Sequence, residues 1–229
     1  TMPEGRKPIQ TYLVKEGNER NAYEAVRNQL KAGHQAYFVY PAINAENENS
    51  EIQDIKSAEE NFRNLADRIY PEYKCALIHS KIEEEEQIRI LKDFQDGKIQ
   101  VLAATTVIEV GVDVPNATSI VIEQADRFGL AQLHQLRGRT GRGTDQSYCF
   151  LIYSNKISKT GIERMKVLRQ NTDGFIIANQ DLKLRGPGEI TGTAQAGNLS
   201  LGIADIVRDH DILVKARADA FEYTKNLLN

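Results

Sequence analysis

The sequence predicts a parallel, doubly wound α/β sheet followed by a separate helical appendage. Two observations predict it. Short apolar runs bounded by turn residues alternate with segments of helical periodicity as far as about Tyr153, which is the signature of βαβ units. After Ser154 that alternation stops and only helical spacing remains. The expected division is therefore 1–154 for the sheet domain and 155–229 for the appendage. In a sheet of this kind a ligand is expected in the crevice at the carboxyl ends of the strands.

The elements follow in order. Thr1 to Gln10 holds two prolines and reads as a linker or the edge of a longer protein. Thr11 to Val14 is a short strand. Asn18 is placed to cap a helix that runs to Lys31, with Tyr23, Val26 and Leu30 on one face and Gly33 as the terminating residue. Gln35 to Tyr40 is a buried strand stopped by Pro41. Ala42 to Ser50 is polar and aperiodic, hence a loop. Ile52, Ile55, Phe62, Leu65 and Ile69 mark a longer helix that Pro71 closes. Lys74 to His79 is a strand, and Glu83 to Asp96 a helix with Ile88, Leu91 and Phe94 inward. Its leading run of glutamates suits a helix N-terminus by dipole. Gln100 to Ala104 and Ser119 to Ile122 are strands, Leu130 to Arg137 a helix, and Ser147 to Ile152 the last strand. In the appendage, Ile162 to Gln170 and Gly174 to Leu182 read as helices. A glycine-rich turn region, Arg185 to Gly202, and a helix from about Ile203 to Leu228 complete it.

Composition limits the functional classes. The chain has 229 residues, 41% hydrophobic and 27% charged, with a formal net charge of -3, so any surface for nucleic acid must be local. No apolar stretch approaches a membrane span. Cys75 and Cys149 fall in apolar runs and read as reduced buried thiols of a cytosolic protein. The four histidines, His34, His79, His134 and His210, have no metal-ligand spacing, and no metal site is expected.

The stretch with the most chemistry is Gln135-Leu136-Arg137-Gly138-Arg139-Thr140-Gly141-Arg142-Gly143. It packs three arginines and three glycines into nine residues. Read as the opening of a helix, it puts Arg139 and Arg142 on one face, each offering a planar fork of donors suited to phosphate. The alternative is a basic loop that touches nucleic acid. A second stretch begins where a strand ends in Thr105 and Thr106, whose hydroxyls lie at the edge of the sheet. It continues through Glu109, Gly111 and Asp113 to Pro115.

These two stretches carry a resemblance. "TTVIEVGVDVP" followed by "QLRGRTGRG" resembles motifs V and VI of superfamily 2 helicases and translocases, and "YFVYP" and "IHSKIEEEEQIRILKDF" fit further parts of their second RecA-like domain. Downstream, "RFGLAQLHQLRGRTGRG" and "DLKLRGPGEITGTAQAG" look like the RecG family of branched-DNA helicases. The resemblance implies a RecA-like (P-loop NTPase-type) sheet and an ATP-dependent helicase motor acting on branched or double-stranded DNA in recombination and repair. It implies that Arg142 is an arginine finger on ATP, that Arg139 assists, and that Gln135 senses the nucleotide. Glu109, Gly111 and Asp113 would contact nucleotide or brace the arginines. Thr105, Thr106, Arg185 and Gln195 would face nucleic acid, with the hairpin and loop after Ser154 acting as a lever. An Mfd-like duplex translocase and a non-catalytic nucleic-acid-binding module remain as alternatives.

The chain carries no phosphate-cradling Gly-x-x-x-x-Gly-Lys-[Ser/Thr] loop and no Asp-Glu pair after a strand. It is expected to be half of a motor. ATP and Mg2+ would be held mainly by a first RecA-like domain of the same protein, and this chain alone would hold no tightly bound cofactor and hydrolyse no ATP. The remaining expectations are a bacterial cytoplasmic location, a monomer, and arginines that are exposed in the absence of the first domain.

Overall fold

In the computed structural model, residues 7–42, 48–105 and 114–189 are described, with the backbone alone for 48–50, 182 and 185–189. Six parallel strands form one sheet in the order β1-β6-β5-β2-β4-β3. They are β1 (Gln10–Lys15), β2 (Gln35–Tyr40), β3 (Cys75–Ile78), β4 (Val101–Thr105), β5 (Ala117–Ile122) and β6 (Tyr148–Tyr153). The helices are α1 (Arg20–Lys31), α2 (Glu48–Asn64), α3 (Glu84–Gln95), α4 (Leu130–Arg137), α5 (Lys159–Gln170) and α6 (Gly174–Glu189).

The sheet is buried on both faces, as a parallel sheet must be. Successive strand residues point to opposite faces, so each strand feeds two cores. Ala36, Phe38 and Tyr40 of β2 join Val26 and Leu30 of α1 and Ala58 of α2 on one face. Tyr37 and Val39 of the same strand join Phe94 of α3, Leu130 and Leu133 of α4, and Met165 and Leu168 of α5 on the other. Contacts divide the chain into two compact units, Thr1–Ala178 and Asn179–Asn229. The first unit thus extends past residue 154, because α5 buries Met165 and Leu168 against the sheet domain.

Several local expectations need correction. Asn18 does not cap α1. The N-cap residue is Glu19, whose carboxylate accepts instead from the amide of Gly17 at 2.7 Å. The long helix begins at Glu48, inside the expected loop, and ends in a π-helical turn, Leu65–Ile69, with the Tyr70 amide bonded to the Leu65 carbonyl. Ile52 and Ile88 are 43% and 58% exposed, so neither faces the core. Gly186 and Gly188, expected in a turn region, lie within α6.

Candidate functional site

Helix α4 is short, and its ends are made by local chemistry. The Gln132 side chain accepts from the Gly129 amide at 3.0 Å, which satisfies one orphan donor of the first turn. Leu130 and Leu133 face the core. The helix stops at Arg137, so Arg139 and Arg142 are not on the opening of a helix. They lie on the turn that follows its carboxyl end. The Thr140 hydroxyl and amide both donate to the Arg137 carbonyl at 3.2 Å, and the chain reverses at Gly141, whose φ is +73°. A left-handed φ of that kind costs any residue but glycine.

The turn sits at the amino edge of the sheet, away from the carboxyl ends where a ligand was expected. A Cβ on Gly141 would lie 2.8 Å from Ile9 Cγ1, just before β1. A Cβ on Gly143 would lie 3.0 Å from the Pro115 carbonyl oxygen, just before β5. The end of the Thr105–Pro115 stretch and the arginine turn therefore meet closely, and a Cβ there would require the Pro115 backbone to give way. Gln135 is exposed on the last turn of α4, while Arg139 and Arg142 are half-buried rather than exposed. The Arg142 Nε donates to the Gly138 carbonyl at 3.4 Å.

The other candidates are dispersed. Thr105 is 1% exposed at the carboxyl end of β4, in register with Tyr40, and so lies at the opposite edge of the sheet from the arginines. Thr106, Glu109, Gly111, Asp113 and Gln195 lie outside the described residues, and Arg185 is described only as backbone within α6.

Sequence reasoning overlooked Arg137. Its side chain is 3% exposed, turned inward from α4. Its Nη1 donates to the carbonyls of Leu168 and, at 2.9 Å, of Asn171, and its Nη2 donates to His134 Nδ1 at 3.1 Å. Burial, partly offset by Cys149, holds its pKa below the usual guanidinium value. Burial likewise pushes the Cys149 thiol up to about 12. The signal was present: Arg137 stands seven residues after Leu130 and four after Leu133, on the buried face of the helix. Arg137 thus ties the helix that leads into the arginine turn to the end of α5.

Glu123 was overlooked as well. It follows β5 at the carboxyl edge and lines a cavity of about 510 Å³ together with Tyr23, Tyr40, Asn61 and Asp126. Tyr23 donates to its carboxylate at 2.8 Å. Burial raises its pKa to about 7, with the Tyr23 hydrogen bond opposing and Glu19 adding to the shift. The next residue, Gln124, adopts φ +47°, an uncommon conformation for a non-glycine residue. Among the described residues no group of His, Cys, Asp and Glu is arranged to hold a metal ion, and no helix is long and apolar enough to cross a membrane.

Residues 171–226 match the model for "ATP-dependent DNA helicase RecG, domain 3, C-terminal". The chain is 48% identical over 225 residues to the ATP-dependent DNA helicase RecG of Treponema pallidum, covering 97% of this chain and 32% of that protein. It thus spans about a third of the length of such relatives. A solved structure of RecG bound to a three-way DNA junction superposes with a TM-score of 0.70 at 43% identity, over 93% of this chain and 26% of that one. Domain 2 of the DEAD-box helicase Mss116p, 17% identical, superposes with a TM-score of 0.55 over 72% of this chain and 62% of that one, which reflects shared RecA-like fold alone. Residues 21–144, more than half of the chain, match the helicase conserved C-terminal domain, and the chain belongs to that family.

Proposed function

We propose that this chain is the second motor domain, with its helical hairpin, of an ATP-dependent helicase that remodels branched DNA. The observation that supports the reading is the arginine turn, in which the segment carrying Arg139 and Arg142 follows α4 at one edge of the sheet and Gly143 meets Pro115, the end of the Thr105–Pro115 stretch. The name and junction-bound state of the similar RecG proteins support the choice of substrate. Arg142 is the finger. Its guanidinium supplies positive charge where charge develops on the phosphoryl group, and Arg139 adds to it. Gln135 orients the nucleotide, and Glu109, Gly111 and Asp113 complete that side. The donors present are guanidinium groups, which suit triphosphate oxygens. ATP and its Mg2+ are held mainly by the first RecA-like domain of the longer protein, which is the principal partner.

Thr106, Arg185 and Gln195 serve the DNA side, and the buried Thr105 relays between the two sites, in a bacterial, cytoplasmic and monomeric enzyme. The functional boundary falls near Ser154, with 155–229 as the lever. In the full-length protein, Arg142→Ala should lower DNA-stimulated ATP hydrolysis by about 10³-fold or more while leaving ATP binding nearly intact. Unchanged turnover would remove the finger assignment. Gln195→Ala should keep hydrolysis and lose unwinding of forked DNA. If that variant unwinds normally, the lever reading fails.

A further inference from the structure

We propose that His134 is a positioning residue. As a neutral acceptor it sets the guanidinium of Arg137, and its protonation loosens the joint between α4 and the turn that links α5 to α6. The proposal deepens the helicase reading and rests on it only for the coupling measurement below.

The argument begins with donors and acceptors. A guanidinium has no acceptor atom, so the imidazole nitrogen 3.1 Å from Arg137 Nη2 must carry the lone pair. That assigns the tautomer: Nδ1 accepts and Nε2 bears the hydrogen. The guanidinium is a rigid planar fork, so fixing Nη2 on His134 aims Nη1 at the carbonyls of Leu168 and Asn171. The imidazole is itself confined, because a Cβ on Gly174 would lie 2.9 Å from its Nε2. A side chain at 174 would require the ring to shift.

The charged and titratable groups around this pair are few. Arg137 faces His134 from the same helix, and Asp173 faces it from the turn before α6. The Asp173 carboxylate is engaged by the amides of Phe175 at 2.8 Å and Ile176 at 3.3 Å, which fixes it as the cap of α6. Cys149 of β6 lies by Arg137 with its thiol protonated. Burial holds the His134 pKa below the usual imidazole value of 6.5, Arg137 lowers it further, and Asp173 opposes both. Protonation would remove the acceptor and set a second cation against the guanidinium. The sign follows from a folded pKa below the unfolded one: the joint is intact above the unfolded value and is lost as pH falls from there through the folded value.

The test compares wild type with His134→Asn, whose Oδ1 replaces the Nδ1 acceptor and cannot protonate, and with His134→Ala. In the full-length helicase, base pairs unwound per ATP hydrolysed are measured from about pH 8 down to the acid end of the His134 titration, as followed by NMR in this chain. A hydrogen bond to a charged group is worth about tenfold in an equilibrium. Wild-type coupling should therefore fall by about tenfold at the acid pH relative to His134→Asn. His134→Ala should be low at both. An acid loss in His134→Asn equal to that of wild type overturns the proposal, and so does wild-type coupling in His134→Ala. In this chain alone, NMR should show the Asn171 and Gly174 amides titrating with His134 in wild type and flat in His134→Asn. Flat wild-type amides overturn the proposal even if the longer protein unwinds nothing, an outcome that would count against the helicase reading instead.

Discussion

Arg137 and Glu123 both bring charge into the interior, and the fold handles them in opposite ways. Arg137 keeps its charge by giving it to backbone carbonyls and one imidazole. Glu123 has a single hydroxyl donor, and its folded pKa of about 7 stands above the carboxylate value of 4.5. A raised pKa means that the protonated form is favoured by folding. Its contribution is therefore whole below the unfolded value and is lost as pH rises through about 7. Glu123→Gln keeps an acceptor for Tyr23 and cannot ionise. It should stabilise the protein by about 2 kcal/mol at about pH 8 and by little near pH 5. Urea unfolding at the two pH values checks this, and an equal effect at both would refute it. Arg137→Lys offers a point charge that cannot span three acceptors. It should cost about 2–3 kcal/mol by the same measurement, because buried carbonyls are left unpaired. Residue identity made the arginine stretch legible from the sequence. The division of labour within it was not, because that depends on where α4 ends.

At the scale of elements, spacing located the helices and strands but not the turns between them. The inward face of α4 follows from Leu130 and Leu133, and the buried strand β2 from its unbroken apolar run. Ile88 of α3 fitted the same periodicity and is exposed, since α3 packs mainly through Phe94. The arginine stretch could be read as helix or loop, and the decision lies in one backbone angle at Gly141. Gly141→Ala should cost about 1–3 kcal/mol, from the positive φ and from the contact with Ile9. Thermal unfolding measures it, and a stability within a few tenths of wild type would show that the turn relaxes freely. Gly143 tests the meeting with Pro115 in the same way, against a backbone atom that has less freedom to move.

For the molecule as a whole, the strand order was not in the local pattern. β1 pairs with β6, and Leu13 lies opposite Leu151, so the pairing joins residues far apart in sequence. The alternation of strands and helices was enough to call the sheet parallel, whereas the placement of β1 at an edge beside β6 needs the whole fold. The order makes a prediction about local stability. Amides of β6, β5, β2 and β4, each flanked by strands on both sides, should exchange with solvent most slowly, and those of the edge strands β1 and β3 fastest. Edge amides as slow as those of β2 would contradict it. Arg137 has a consequence on this scale too. It stands at the carboxyl end of α4 and donates to carbonyls at the carboxyl end of α5, so two helix dipoles present their negative ends to one cation. Fixed partial charges in a dry interior are hardly screened by added ions, whereas contacts to a phosphate backbone weaken steeply with salt. Raising ionic strength should therefore leave this joint closed while it weakens the DNA contacts of the proposed helicase, so that the two can be separated with sodium chloride alone.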